Sequence, residues 1–98
     1  MELEDKMESN FNLETPIKLN KQYRFQWEEA QKSYVLLYPE GLIKLQGSAG
    51  EILQKVNGEK TTNKIIQELE KKFPGADLKK DVIEFLMHAN QKGWVDLE

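Results

Sequence analysis

Few side chains in this sequence are suited to covalent or metal chemistry. There is no cysteine and a single histidine, His88. A disulfide framework, a thiolate zinc site and a histidine pair for a metal are therefore out of reach within one chain. Beyond residue 15 the only serines are Ser33 and Ser48. Neither sits in a nucleophile motif, and Ser48 reads as a helix cap. No glycine-rich phosphate loop is present. His88 falls on the side of its helix away from Leu86 and Ala89, which makes it a solvated surface residue. The carboxylates lie mostly on helix exteriors, where solvation is the default. No acid, base and nucleophile converge. The residues point to a protein that binds rather than catalyses, with no cofactor and no metal.

Two features exceed what folding requires. In the last helical segment Val82, Leu86 and Ala89 share one stripe at 100° per residue, while Ile83 and Met87 form a second apolar strip beside it, with Lys79 and Asn90 as neighbours. One stripe docks a helix; a second offers the wall of a groove, where methionine supplies an adaptable surface. The other feature is the segment 42–46, an expected edge strand. Lys44 blunts it in part, but no proline or glycine in Leu42, Ile43, Lys44, Leu45 and Gln46 prevents backbone pairing. An open edge beside an apolar helix flank is the arrangement that captures an extended peptide. The expected peptide-binding residues are Leu42, Ile43, Lys44, Leu45, Lys79, Ile83, Met87 and Asn90.

The elements that position them follow from periodicity. Tyr23, Phe25 and Trp27 alternate with polar residues, as in a half-buried strand. Residues 34–38 form a second strand, rich in aromatic and branched residues. Pro39, Glu40 and Gly41 then predict a three-residue hairpin loop, with Gly41 left-handed. In that register Leu37 faces Ile43 and Val35 faces Leu45, so these four make the core face. At Ser48 the period becomes 3.6. Ser48 and Glu51 predict a capping box, and Ala49, Ile52, Leu53 and Val56 a helix that stops at Asn57 and Gly58. A second helix starts at Thr61 or Thr62, carries Ile65, Ile66, Leu69 and Phe73 inward, and ends at Pro74 and Gly75. The third takes Asp77 as N-cap and closes at Gly93; residues 94–97 pack back. The expected fold is α+β and winged-helix-like, a three-stranded antiparallel sheet followed by a three-helix bundle.

Charge and composition limit the partners. Residues 1–15 hold five acids and one base, a net −4, and residues 16–98 hold 12 acids and 13 bases. The first stretch is expected to be a disordered acidic tail in which Phe11 and Leu13 give local attachment, and the second a single domain. That near-neutral domain lacks the clustered basic face a nucleic acid needs. A winged-helix DNA reader is further opposed by the third helix, where Lys79, Lys80 and Lys92 are offset by Asp81 and Glu84 and no arginine is available to read bases. No apolar run spans a membrane, and the acidic N-terminal stretch is unlike a secretion signal; the expected location is cytoplasmic.

Several blocks carry a resemblance: Tyr23-Arg24-Phe25-Gln26-Trp27-Glu28; Tyr34-Val35-Leu36-Leu37-Tyr38-Pro39-Glu40-Gly41; Leu45-Gln46-Gly47-Ser48-Ala49-Gly50-Glu51-Ile52-Leu53; Gly58-Glu59-Lys60-Thr61; and the closing Gly93-Trp94-Val95. From about Pro16 to Leu97 the chain resembles the PqqD family of pyrroloquinoline quinone (PQQ) biosynthesis. The resemblance implies a peptide chaperone, the prototype recognition element for ribosomally made, modified peptides. Such a protein would bind the precursor peptide PqqA at the third strand and third helix. It would present the peptide to PqqE, a radical S-adenosylmethionine enzyme. A recognition element of the same fold serving another modified-peptide pathway is the alternative. One departure is Lys64, three residues after Thr61, where family members often carry an acid.

Overall fold

The computed structural model describes residues 11–97. Of the expected tail, residues 1–10 lie outside the described residues. In chain order the elements are β1 (Ile17–Leu19), β2 (Arg24–Glu28), β3 (Ser33–Tyr38), β4 (Gly41–Lys44), α1 (Ala49–Gln54), α2 (Thr62–Lys72), α3 (Lys79–Gln91) and β5 (Val95–Leu97). The fold is α+β, with antiparallel sheets and three helices.

The central sheet has the order β2-β3-β4. Its hairpin corrects the expected register. Tyr38 pairs with Gly41, Leu37 with Leu42, Leu36 with Ile43 and Val35 with Lys44. The loop is thus two residues, Pro39 and Glu40, and Gly41 does not have the positive φ expected of it. Proline at the second position and glycine at the fourth also suit a type I turn, in which neither needs a left-handed backbone. A one-residue slip moves every side chain of a strand to the opposite face. Leu36, Ile43 and Leu45 therefore face the core, and Val35, Leu37, Leu42 and Lys44 face outward. Val35 is nonetheless buried, in a row between Gln26 of β2 and Lys44 of β4.

A second sheet was not anticipated from periodicity. β1 pairs antiparallel with β5, Ile17 opposite Leu97 and Leu19 opposite Val95. On its other side Ile17 is tied to the α1–α2 loop, donating to Lys60 O and accepting from Gly58 N, both at 3.0 Å. Three-residue strands carry too few alternations to register as a period. Upstream, Phe11 is 6% exposed within the main core cluster, and Asn63 N donates to Leu13 O at 3.2 Å. Residues 11–15 are thus held against the domain.

The three helices close the core over the sheet. Ile17, Leu36, Ile52, Ile65, Val82, Leu86 and Val95 are its most buried members, each contributing about 1.5–3 kcal/mol by leaving water. Their caps differ from expectation in three places. Ser48 makes no side-chain cap bond, because its ψ near 0° is not the extended geometry a capping hydroxyl needs; Glu51 instead pairs with Lys72 Nζ at 3.0 Å. Leu78, not Asp77, is the N-cap of α3, and no side chain caps it. Phe73 follows the last turn of α2 and is 42% exposed rather than core-facing, with Lys72 Nζ 5.6 Å from its ring centre. Thr61 does cap α2, its Oγ1 accepting from Lys64 N at 3.1 Å. Gly93 ends α3 with φ 83°. There Gly93 N donates to Asn90 O and Trp94 N to Ala89 O at 3.1 and 2.8 Å, the paired bonds of a Schellman motif. Among the described residues no helix is long and apolar enough to cross a membrane.

Candidate functional site

Among the described residues β4 is the last strand of its sheet, so one side of its backbone has no strand partner there. Hydrogen-bond parity settles which groups that side presents. Leu45 N donates to Tyr34 O at 3.0 Å. In an antiparallel ladder inward and outward residues alternate, so Ile43 bonds inward to Leu36 while the N–H and C=O of Leu42 and Lys44 point away from the sheet. Leu42 is 39% exposed. Ile43 and Leu45 point the other way, Leu45 buried in the core and Ile43 packed against it. A strand edge of this kind forms main-chain bonds with an extended chain, and its side chains alternate between two distinct surfaces.

α3 supplies the second predicted component. Val82, Leu86 and Ala89 are buried. Ile83 and Met87 are half-buried, packing against the margin of the core, and with Lys79, Asp77, Lys80 and Glu84 they line a shallow groove of about 560 Å³. The second apolar strip thus both borders the core and lines the groove. Asn90 is placed differently: its Nδ2 donates to Val95 O at 3.0 Å, which ties α3 to β5. Lys44 and Leu45 line a separate depression at the far end of the sheet, with Trp27, Ser33, Tyr34 and Gln46. Of the eight predicted residues, the structure gathers Lys79, Ile83 and Met87 in one groove and Lys44 and Leu45 in another. Leu42 and Ile43 lie along the edge.

The depression at the strand end was missed by sequence reasoning. Trp27, on the apolar face of the expected half-buried strand, is 48% exposed and meets Tyr34 edge-on at 5.1 Å. Ser33 Oγ is buried there with no hydrogen-bond partner. The aromatic alternation of 23–27 was a signal, but its last member sits where the sheet runs out of cover.

Electrostatics add no reacting group. Two carboxyls titrate below their ordinary range. Glu29 is lowered by hydrogen bonds from Lys32 and Trp27, and Glu68 chiefly by Lys60, 2.8 Å away. Both are ion-pair effects on solvated groups. His88 is exposed and meets Trp94 edge-on at 5.6 Å. Among the described residues no group of histidines and carboxylates is placed to hold a metal.

Comparison with known proteins places this architecture. A solution structure of the PqqD truncation of Methylobacterium extorquens PqqCD is described as a functional and stand-alone recognition element for ribosomally synthesised, modified peptides. It superposes with a TM-score of 0.71 at 27% identity, covering 88% of this chain and 94% of that one. The heterocyclase TruD contains the same fold over 12% of its length, with a TM-score of 0.66. By fold the chain thus falls in the class of small α+β domains typified by that recognition element. Residues 33–95 match the family profile "Coenzyme PQQ synthesis protein D (PqqD)", and relatives named "PqqA binding protein" align over most of the chain. That of Acinetobacter baylyi is 49% identical, covering 86% of this chain and 85% of its own. That of Pseudomonas syringae pv. tomato is 46% identical and covers 99% of each. The chain belongs to the PqqD family.

Proposed function

We propose that the protein is a peptide chaperone of PQQ biosynthesis. It binds the precursor peptide PqqA as an added strand on β4, beside the Ile83–Met87 flank of α3, and presents it to the radical S-adenosylmethionine enzyme PqqE in the cytoplasm. The observation that carries this reading is the outward-facing N–H and C=O groups of Leu42 and Lys44, on an edge that no strand among the described residues pairs with. The relatives' name and the family support the identity of the peptide. The apolar strip on α3 supports a second wall, since both Ile43 and the Ile83–Met87 pair border the same core. In this reading the domain is winged-helix-like and acts by binding alone, without catalysis. It includes residues 11–15 as well as the stretch from Pro16, because Phe11 is a core residue.

Calorimetric titration with synthetic PqqA tests the proposal. Affinity in the micromolar range, about −8 kcal/mol, is expected for a strand with two or three side-chain contacts. Absence of both heat and amide shifts on β4 and α3 would refute it. Presentation is tested by turnover of PqqA by PqqE with and without this protein.

A further inference from the structure

We infer that the depression at the end of β4 is a carboxylate subsite, and that the strand captured there places an acidic side chain beside Lys44. It also places an apolar one two positions away beside Leu42. This inference rests on the strand-capture reading above and deepens it.

The outward bonds of β4 belong to Leu42 and Lys44. In an added antiparallel strand the residues directly opposite these two exchange hydrogen bonds with them, and opposing side chains share a face. That face is the outer one. Its rows run Arg24, Leu37, Leu42 and Gln26, Val35, Lys44 across the strands. A fourth strand extends the first row next to Leu42, which is exposed and backed by the half-buried Leu37; an apolar side chain fits there. It extends the second row next to Lys44. The residue between them lies opposite Ile43 and turns to the other face, the side on which Ile43 borders the core.

Charge bookkeeping in the depression decides what Lys44 receives. Lys32 lines it but is held by Glu29, and Glu51 lines it but is held by Lys72. Lys44 lines it and makes no ion pair among the described residues. Among the described residues it is the cation there left without a counter-charge. Ser33 lines the same concavity, but its hydroxyl is buried out of a ligand's reach. An unpaired ammonium in the concavity selects an anionic ligand over a neutral or cationic one. A main-chain strand on β4 brings its side chains to the mouth of that concavity.

The test is a charge exchange with synthetic PqqA in which each Asp and Glu is changed singly to Lys. Lys44→Glu is expected to weaken binding of the parent peptide about fivefold, the scale of one cross-strand ion pair reversed. One Asp→Lys or Glu→Lys peptide should lose affinity for the unchanged protein and regain it on the Lys44→Glu variant. Unaltered affinity of Lys44→Glu, or the lack of any peptide that it rescues, overturns the carboxylate subsite. Lys44→Pro separates the two levels, since it deletes an outward N–H whatever the side chains do. If folded Lys44→Pro loses the peptide while Lys44→Glu keeps it, strand capture stands and the subsite falls. If both keep it, both fall. Circular dichroism on each variant confirms the fold.

Discussion

Gly50 of α1 lies directly against the ring of Tyr34 in β3: a Cβ built on Gly50 would stand 2.7 Å from Tyr34 Cδ2 and 3.2 Å from its Cβ and Cγ. The helix backbone thus rests on the sheet at a distance that excludes even a methyl group. Gly50 is buried, and Tyr34 is fixed on its other side by stacking with Phe25 at 4.8 Å, so neither partner has room to yield.

Gly50→Ala is therefore expected to destabilise the protein by about 1–3 kcal/mol, the usual cost of overpacking. At an exposed helical position the same change would stabilise by up to about 1 kcal/mol. The sign of the shift in a urea midpoint distinguishes the two.

Removing Phe11 should cost more than removing charge around it. Phe11→Ala is expected to lower stability by about 3 kcal/mol, as for other buried phenylalanines. Deletion of residues 1–15 should do at least as much, because it also removes the Leu13 carbonyl that accepts from Asn63 N. Denaturation of the two variants in urea ranks them.

Variants of the two walls should separate binding from folding. Ile83→Asp and Met87→Asp each put a carboxylate on the α3 groove while leaving the buried stripe untouched. PqqA affinity is expected to fall tenfold or more, about 1.4 kcal/mol, with circular dichroism unchanged. Ile43→Ala and Leu45→Ala act on the core face and should lower stability first, by about 2–4 kcal/mol. Asn90→Ala should lose about 1 kcal/mol of stability, the bond to Val95 O, with little change in affinity once folded.

Acid sensitivity should trace to Glu68. Its carboxyl is held below the ordinary range by Lys60, and Lys55 adds to this from 3.7 Å. A carboxyl whose folded-state pKa is depressed stabilises the fold at neutral pH, and that stability is lost as pH falls through and below the usual carboxyl value of about 4.3. Glu68→Gln is expected to be less stable than the parent at pH 7 and to show a flatter decline between about pH 5 and pH 3. Parallel urea melts across that range check it.

The helices were legible because their signals are redundant. Ile65, Ile66 and Leu69, or Val82, Leu86 and Ala89, recur at helical spacing, and Gly93 marks the stop of the last helix chemically. The sheet register was not, because Pro39-Glu40-Gly41 fits a two-residue turn as well as a three-residue loop. The choice between them is made by which of Val35 and Leu36 packs against α-helices far along the chain. β1 and β5 escaped notice for a similar reason. Ile17 and Val95 are buried by each other's strands, a partnership across the whole domain that no local window contains. At the candidate site, the apolar strip of Ile83 and Met87 was visible as a helical spacing. The structural bond of Asn90 was not, since its acceptor, the Val95 carbonyl, belongs to the unrecognised strand.

The pairing of Ile17 with Leu97 has a consequence for how such a domain can be carried. β1 and β5 form one two-stranded ribbon, and β4 is at the edge of the other sheet. Sequence appended after Leu97 leaves from that ribbon rather than from β4. In the strand-capture reading proposed above, an enzyme carrying this domain in its own chain has a tethered docking strand, and the tether raises the local concentration of whatever that strand holds.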